Sequence, residues 1–186
     1  MDRPHKFTSI ETERLILREV TDEDADSLLA YLSDEEVTKH MGLAPFTSKE
    51  DALDEIAWYE SIFEKGTGMR WGITIKGEDR IIGSCGFLNL SNKHHRSEIG
   101  FELSREHWGK GIAGESLQAV IAYGFSQLEL NRIEALIEPA NSPSQKLVEA
   151  NGFVQEGLLR SYEYTRGKFD DLYMYSLLKR EFDGKL

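Results

Sequence analysis

Residues 14–20 (RLILREV) alternate apolar and polar side chains, the period-two pattern of a half-buried strand, and Thr21 with Asp24 resembles a capping box that opens a helix. That helix carries Ala25, Leu28, Leu29 and Leu32 at i, i+3, i+4, i+7 spacing. A second apolar stripe of Leu53, Ile56, Ala57 and Phe63 follows Ser48 as its cap and stops at Gly66 and Gly68. Residues 71–75 and 80–90 read as two strands joined by the turn-like KGED. A polar loop over 89–95 leads to a fourth strand at 98–103. Leu117, Val120, Ile121, Phe125 and Leu128 then trace the inner stripe of a helix about four turns long. Residues 132–137 are a fifth strand, 142–150 a short helix stopped by Asn151 and Gly152, and 153–159 and 172–178 two last strands.

The order β-α-α-β-β-β-α-β-α-β-β predicts an α+β (mixed α/β) fold of about seven strands with flanking helices. The fourth and fifth strands, joined through a helix, must be parallel, whereas the hairpins on either side are antiparallel. No repeat or linker interrupts the pattern, so residues 1–186 are expected to form a single domain.

Composition narrows the function. Twenty-two basic against 33 acidic residues give a net charge of −11, which repels a nucleic-acid backbone and favours cationic partners. One cysteine, Cys85, leaves no disulfide framework and no cysteine-based metal site, and a reducing, cytoplasmic compartment is expected. MDRPHKFTS lacks the apolar run of a signal peptide, and no stretch reaches the ~18 apolar residues of a membrane span.

The chemistry concentrates in EIGFELSREHWGKGIAGES, residues 98–116. Glycines at 109, 111 and 114 let the backbone curl so that successive N–H groups point outward where a helix begins. A helix N-terminus adds roughly half a positive charge, so this turn suits a diphosphate. Residues 109–114 also match G-x-G-x-x-G, with Glu134 twenty residues beyond Gly114. A dinucleotide-binding domain would supply consecutive βα units, however, and here a hairpin precedes the turn. A turn that merely reverses the chain is the remaining reading.

WGKGIAG resembles the acyl-CoA pyrophosphate loop of the GNAT superfamily, Q/R-x-x-G-x-G/A, with Trp108 in the Q/R place, Gly111 as the glycine and Ala113 last. ETERLILREVTDEDA, EIGFELSREHWGKGIAGES and EPANSPSQKLVEANGFVQEG further resemble the Rim-type N-terminal acetyltransferases of ribosomal proteins. The resemblance implies an acetyl-CoA-dependent N-acetyltransferase without a metal, binding acetyl-CoA where the fourth and fifth strands splay apart. Phe101, Leu103, Trp108, Gly109, Lys110, Gly111, Ile112, Ala113, Gly114 and Asn141 would hold acetyl-CoA. The acceptor it implies is a protein N-terminal amine, with a polyamine or aminoglycoside as the alternative; an acetyl-CoA-binding module without turnover is the alternative of another class. The enzyme would act as a monomer or homodimer, away from nucleic acid and membrane.

Strand alternation puts Glu98, Gly100 and Glu102 on one face and Ile99, Phe101 and Leu103 on the other. An ammonium acceptor titrates near ~10 and must lose a proton before it attacks. Glu98 or Glu102 is therefore a candidate base or cation anchor, unless both lie on a solvated face. By resemblance, Asn141 contacts the coenzyme and Ser144 is the candidate acid toward the departing thiolate; both residues also suit a helix cap. Tyr162, Tyr164, Tyr173 and Tyr175 are alternative donors that equally suit core or cleft walls, and His94 and His95 read as surface residues.

Overall fold

The computed structural model describes residues 6–182; residues 1–5 of the N-terminal stretch and 183–186 lie outside the described residues. Its strands are β1 (Ile10–Glu11), β2 (Leu15–Arg18), β3 (Met69–Ile75), β4 (Gly83–Ser91), β5 (Arg96–Leu103), β6 (Arg132–Ile137), β7 (Val154–Thr165) and β8 (Lys168–Leu178). Its helices are α1 (Ala25–Leu32), α2 (Glu35–Thr38), α3 (Lys49–Glu64), α4 (Ile112–Ser126) and α5 (Ser142–Ala150). The eight strands form one mixed sheet in the order β1-β2-β3-β4-β5-β6-β8-β7. The β5–β6 pair is parallel, with α4 as its crossover, and every other pair is antiparallel.

Both sheet faces are covered near the centre, as the strand alternation requires. On one side Leu15, Leu17, Trp71, Ile73, Cys85 and Phe87 pack with Leu117, Val120 and Ile121 of α4. On the other, Val20 and Ile81 meet α1 and α3 through Ala25, Leu28, Leu32, Ile56 and Tyr59. Local signals set the helix starts. The Ser48 hydroxyl accepts from the Asp51 amide at 3.3 Å while the Asp51 carboxylate accepts from the Ser48 amide at 3.0 Å. Asp24 accepts from the Thr21 amide at 2.9 Å and also receives the Arg18 guanidinium through two nitrogens, at 2.8 and 2.9 Å.

The architecture agrees with the expected class, and a single parallel pair rules out the run of βα units a dinucleotide-binding fold needs. The differences are local. β1 and α2 are too short to carry a period. Ala57 is exposed, because the buried stripe of α3 runs through Ala52, Ile56, Tyr59 and Ile62. α4 starts at Ile112, so Gly114 lies in its first turn and not in the loop. The last hairpin extends well past residue 159: β7 is an edge strand, exposed almost throughout, so no apolar alternation marks its length. No helix of the described residues is long and apolar enough to cross a membrane.

Candidate active site

The parallel ladder between β5 and β6 is three residues long. Arg96, Ser97 and Glu98 pair with Arg132, Ile133 and Glu134, and there the ladder ends, with β5 continuing to Leu103 and β6 to Ile137. On its other side β5 stays in register with β4 as far as Leu103, and the Ser104 amide donates to the Ile82 carbonyl at 2.8 Å. Backbone groups alternate in direction along a strand, so the amides of Glu102 and Gly100 also turn to β4 and those of Phe101 and Leu103 turn to the gap. Trp108 closes this edge: its indole N–H donates to the Leu103 carbonyl at 2.7 Å. Trp108 is itself 47% exposed, so this bond pins a side chain that remains open to solvent.

The turn from β5 into α4 has the backbone its glycines allow. Gly109 (φ 72°) and Gly111 (φ 77°) are left-handed, and Gly111 caps α4 with no side-chain hydrogen bond. The first amides of a helix lack partners within it, so this turn offers its N–H groups to a ligand. Ile112 is buried and Ala113 packs against the core, which leaves their amides as what they can present. Lys110 is exposed, and its carbonyl accepts from Arg14. Gly114 faces α5, where a Cβ would meet Leu147 at 3.8 Å.

A brace that sequence reasoning missed holds this turn. Glu115, in the first turn of α4, accepts from the Thr12 hydroxyl at 2.6 Å, the Arg14 amide at 2.9 Å and Arg14 Nε at 2.6 Å. Arg14 Nη1 donates to the Lys110 carbonyl at 2.9 Å, and Nη2 lies 3.3 Å from where a Cβ on Gly111 would stand. Burial alone would raise the Glu115 carboxyl, but the hydrogen bonds from Thr12 and Arg14 outweigh it and hold the group below the usual carboxylate range. Thr12 and Arg14 are about a hundred residues from Glu115 in sequence, a separation that local spacing cannot bridge.

The two candidate glutamates share a face, as alternation requires, yet their surroundings differ. Glu102 is buried, accepting from Arg70 Nη2 at 2.6 Å and from the Ser84 hydroxyl. Glu98 is half-buried at the end of the ladder and receives the Asn89 side-chain amide at 3.0 Å. Burial raises the Glu98 carboxyl; the Asn89 hydrogen bond opposes this, and the Glu134 charge adds to it. A carboxylate raised in this way is a better proton acceptor than an ordinary glutamate.

Asn141 caps α5, its side-chain oxygen accepting from the Ser144 amide at 3.2 Å. The Ser144 hydroxyl is half-buried and makes no hydrogen bond among the described residues, so it is available to a ligand. Tyr162 and Tyr164 are exposed on the hairpin, and Tyr175 is in the core with its hydroxyl donating to Glu149 at 3.2 Å. Tyr173 is partly buried against the same core. His94 is exposed, and His95 Nδ1 lies 3.2 Å from the Glu129 carbonyl. A different histidine borders the site. His40 Nδ1 is 2.8 Å from Glu138 at the end of β6, and Arg166 at the β7–β8 tip donates to the Lys39 carbonyl at 2.7 Å. The loop after α2, the end of β6 and the hairpin tip thus meet beside the start of α5.

The family model described as an acetyltransferase (GNAT) domain matches residues 14–154. The chain is 50% identical over 173 residues to the uncharacterized N-acetyltransferase p20 of Bacillus licheniformis, covering 93% of this chain and 97% of that one. It is 32% identical over 129 residues to the ribosomal-protein-serine acetyltransferase of Escherichia coli, covering 69% and 71%. The crystal structure of a GNAT-family acetyltransferase from Bacillus anthracis superposes with a TM-score of 0.82 at 28% identity, over 94% of this chain and 100% of that one.

Proposed function

The chain belongs to the GNAT family of acetyltransferases and is an acetyl-CoA-dependent N-acetyltransferase; from that premise we propose that its acceptor is a protein N-terminal α-amine of the ribosomal-protein type, with Glu98 as the base. The observation that carries this reading is the end of the β5–β6 ladder at Glu98 and Glu134, which opens strand backbone beside the glycine turn of α4.

The residues present fit an acyl-CoA. A Cβ on Gly109 would meet nothing within 4 Å, so the outer side of the turn is open to a diphosphate, and Gly111 leaves the helix amides uncovered. Bound there, acetyl-CoA supplies an acyl carbon activated as a thioester. The amides of Phe101 and Leu103 hold the pantetheine arm and the acyl oxygen in the gap, as preorganised donors. Glu98 attracts the cationic acceptor and takes its proton, directly or through one water. The Ser144 hydroxyl donates toward the departing thiolate. Glu102 is already engaged by Arg70 and Ser84 and shapes the floor on which the acceptor rests.

An N-terminal α-amine is supported by the likeness to the ribosomal-protein-serine acetyltransferase, and a cationic acceptor of any size by the net charge of −11. The test follows free thiol as the enzyme is incubated with acetyl-CoA and one acceptor at a time: peptides of ribosomal-protein N-termini, polyamines or aminoglycosides. Amine-dependent thiol release fastest with the peptides is expected. Turnover confined to a polyamine or an aminoglycoside would replace the α-amine reading with the small-amine one.

A further inference from the structure

Arg70 of β3 lies across the sheet on the α1–α3 side, over a lane of glycines. In the ladder registers Arg70 is opposite Gly86, and Gly86 is opposite Gly100. A Cβ on Gly86 would stand 2.9 Å from Arg70 Cγ, and one on Gly100 would stand 2.9 Å from Arg70 Nη1. The two glycines therefore make the trough that lets a buried arginine reach from β3 to β5. At its far end Nε and Nη2 donate to the Ser84 hydroxyl at 3.2 and 2.6 Å, Nη2 donates to Glu102, and the guanidinium carbon sits 5.3 Å from the centre of the Tyr59 ring.

Every hydrogen bond of this guanidinium to a described residue uses Nε or Nη2. Nη1 carries two further N–H groups, and it stands over Gly100, between Glu98 and Glu102 on the face where an acceptor would lie. The same cluster holds a second hydrogen-bonding group without a partner: the Tyr31 hydroxyl is buried, pairs with no described residue, and feels the charges of Glu102 and Arg70. Of the two, the Tyr31 hydroxyl is the fully buried one, an uncommon state in a folded protein, whereas Nη1 keeps some exposure and so is open to a ligand atom.

We propose that Arg70 Nη1 recognises the carbonyl oxygen of the acceptor's first residue, so that the enzyme selects an amine attached to an α-carbon bearing a carbonyl over a plain alkyl amine. This rests on the α-amine reading above and gives it a structural basis. Same-face neighbours along a strand are about 7 Å apart. An α-amine hydrogen-bonded to Glu98 therefore has its own carbonyl oxygen, a few ångströms farther on, within reach of a donor above Gly100. A polyamine or an isolated alkylamine has no oxygen there and leaves Nη1 without a partner.

The test compares alaninamide with isopropylamine, which differ by the replacement of a carboxamide with a methyl group, in the wild-type enzyme and in two variants. Arg70→Lys keeps a positive charge beside Glu102 but has no second nitrogen to extend over Gly100. Gly100→Ala keeps the arginine and its charge but puts a methyl group 2.9 Å from Nη1, so that this nitrogen must give up its place over position 100. Thermal unfolding, and its rise with added acetyl-CoA, identifies each variant as folded and binding. The wild type should favour alaninamide in kcat/KM, and the ratio should fall about 10- to 100-fold in each variant, the usual effect of a hydrogen bond to a charged donor. Because the ratio is compared between enzymes, the difference in basicity of the two amines cancels. If the wild type acetylates peptides and alaninamide but both folded variants keep its ratio, the role of Arg70 is overturned and the α-amine reading stands. If the wild type acetylates diamines but neither alaninamide nor peptides, the α-amine reading falls and this inference falls with it.

Discussion

Glu98 of β5 stands directly opposite Glu134 of β6, the last pair in register before the two strands part. The two carboxylates are held differently. Glu134 is buried and receives Arg96 at 2.9 Å and Arg132 at 2.6 Å, whereas the hydrogen bond to Glu98 comes from the neutral amide of Asn89. Two guanidinium groups thus hold one member of the pair, and after burial its charge helps raise the other. The ladder places the raised carboxyl at the mouth of the gap between the two strands.

Glu98→Gln should lower kcat on the order of 100-fold, the scale of a lost general base, with acetyl-CoA affinity little changed. The wild-type rate should rise with pH through a midpoint above the ordinary carboxylate value of ~4.3. The stability sign is opposite to that of most acidic residues. A folded-state pKa above the unfolded one contributes stability below the unfolded value and loses it as pH rises through the folded value. Near pH 7 the variant should therefore unfold no more easily than the wild type. Steady-state rates between pH 5 and 9, with denaturant unfolding of both proteins, check each half.

Gly111→Val should weaken acetyl-CoA binding roughly 5- to 30-fold. A side chain at φ 77° carries about 1–2 kcal/mol of backbone strain, and its Cβ would stand 3.3 Å from Arg14 Nη2. Titration of the thermal midpoint with CoA gives the affinity, and an unchanged titration in a folded variant would remove the turn from the binding site.

Glu115→Gln should cost about 1 kcal/mol of stability at pH 7 by loosening the hold of Thr12 and Arg14 on the start of α4. The Glu115 carboxyl lies below its unfolded value, so its contribution is present above the ordinary carboxylate range and lost as pH falls through the lowered pKa. Urea unfolding at pH 7 and again near pH 3 should show the difference between wild type and variant shrinking in acid.

Cys85 is buried against the sheet, and burial pushes its thiol up to about 12. The native protein should be inert to a thiol-specific chromogenic reagent at pH 8 and react with one equivalent in urea. Rapid reaction of the native state would mean that β4 opens readily.

Much of the fold was legible because its signals are local. The helical stripes of α1 and α4, the caps at Ser48 and Asn141, and the glycines at 109 and 111 each declare themselves within a few residues, and α5 occupies residues 142–150 as expected. β7 extends beyond its sequence signal because an exposed edge strand needs no apolar alternation, and Ala57 lies outside the buried stripe because a small apolar residue fits either side of a helix.

The sequence by itself determined the class, the crossover between parallel strands, and the glycine turn that opens α4, since periodicity and glycine spacing are properties of short segments. Only the tertiary structure separated Glu98 from Glu102, set Arg14 against Glu115, and laid Arg70 over Gly86 and Gly100. Those relations depend on which strands lie side by side and in what register, and on how far burial removes water from each charge. Neither quantity is encoded in the spacing of neighbouring residues.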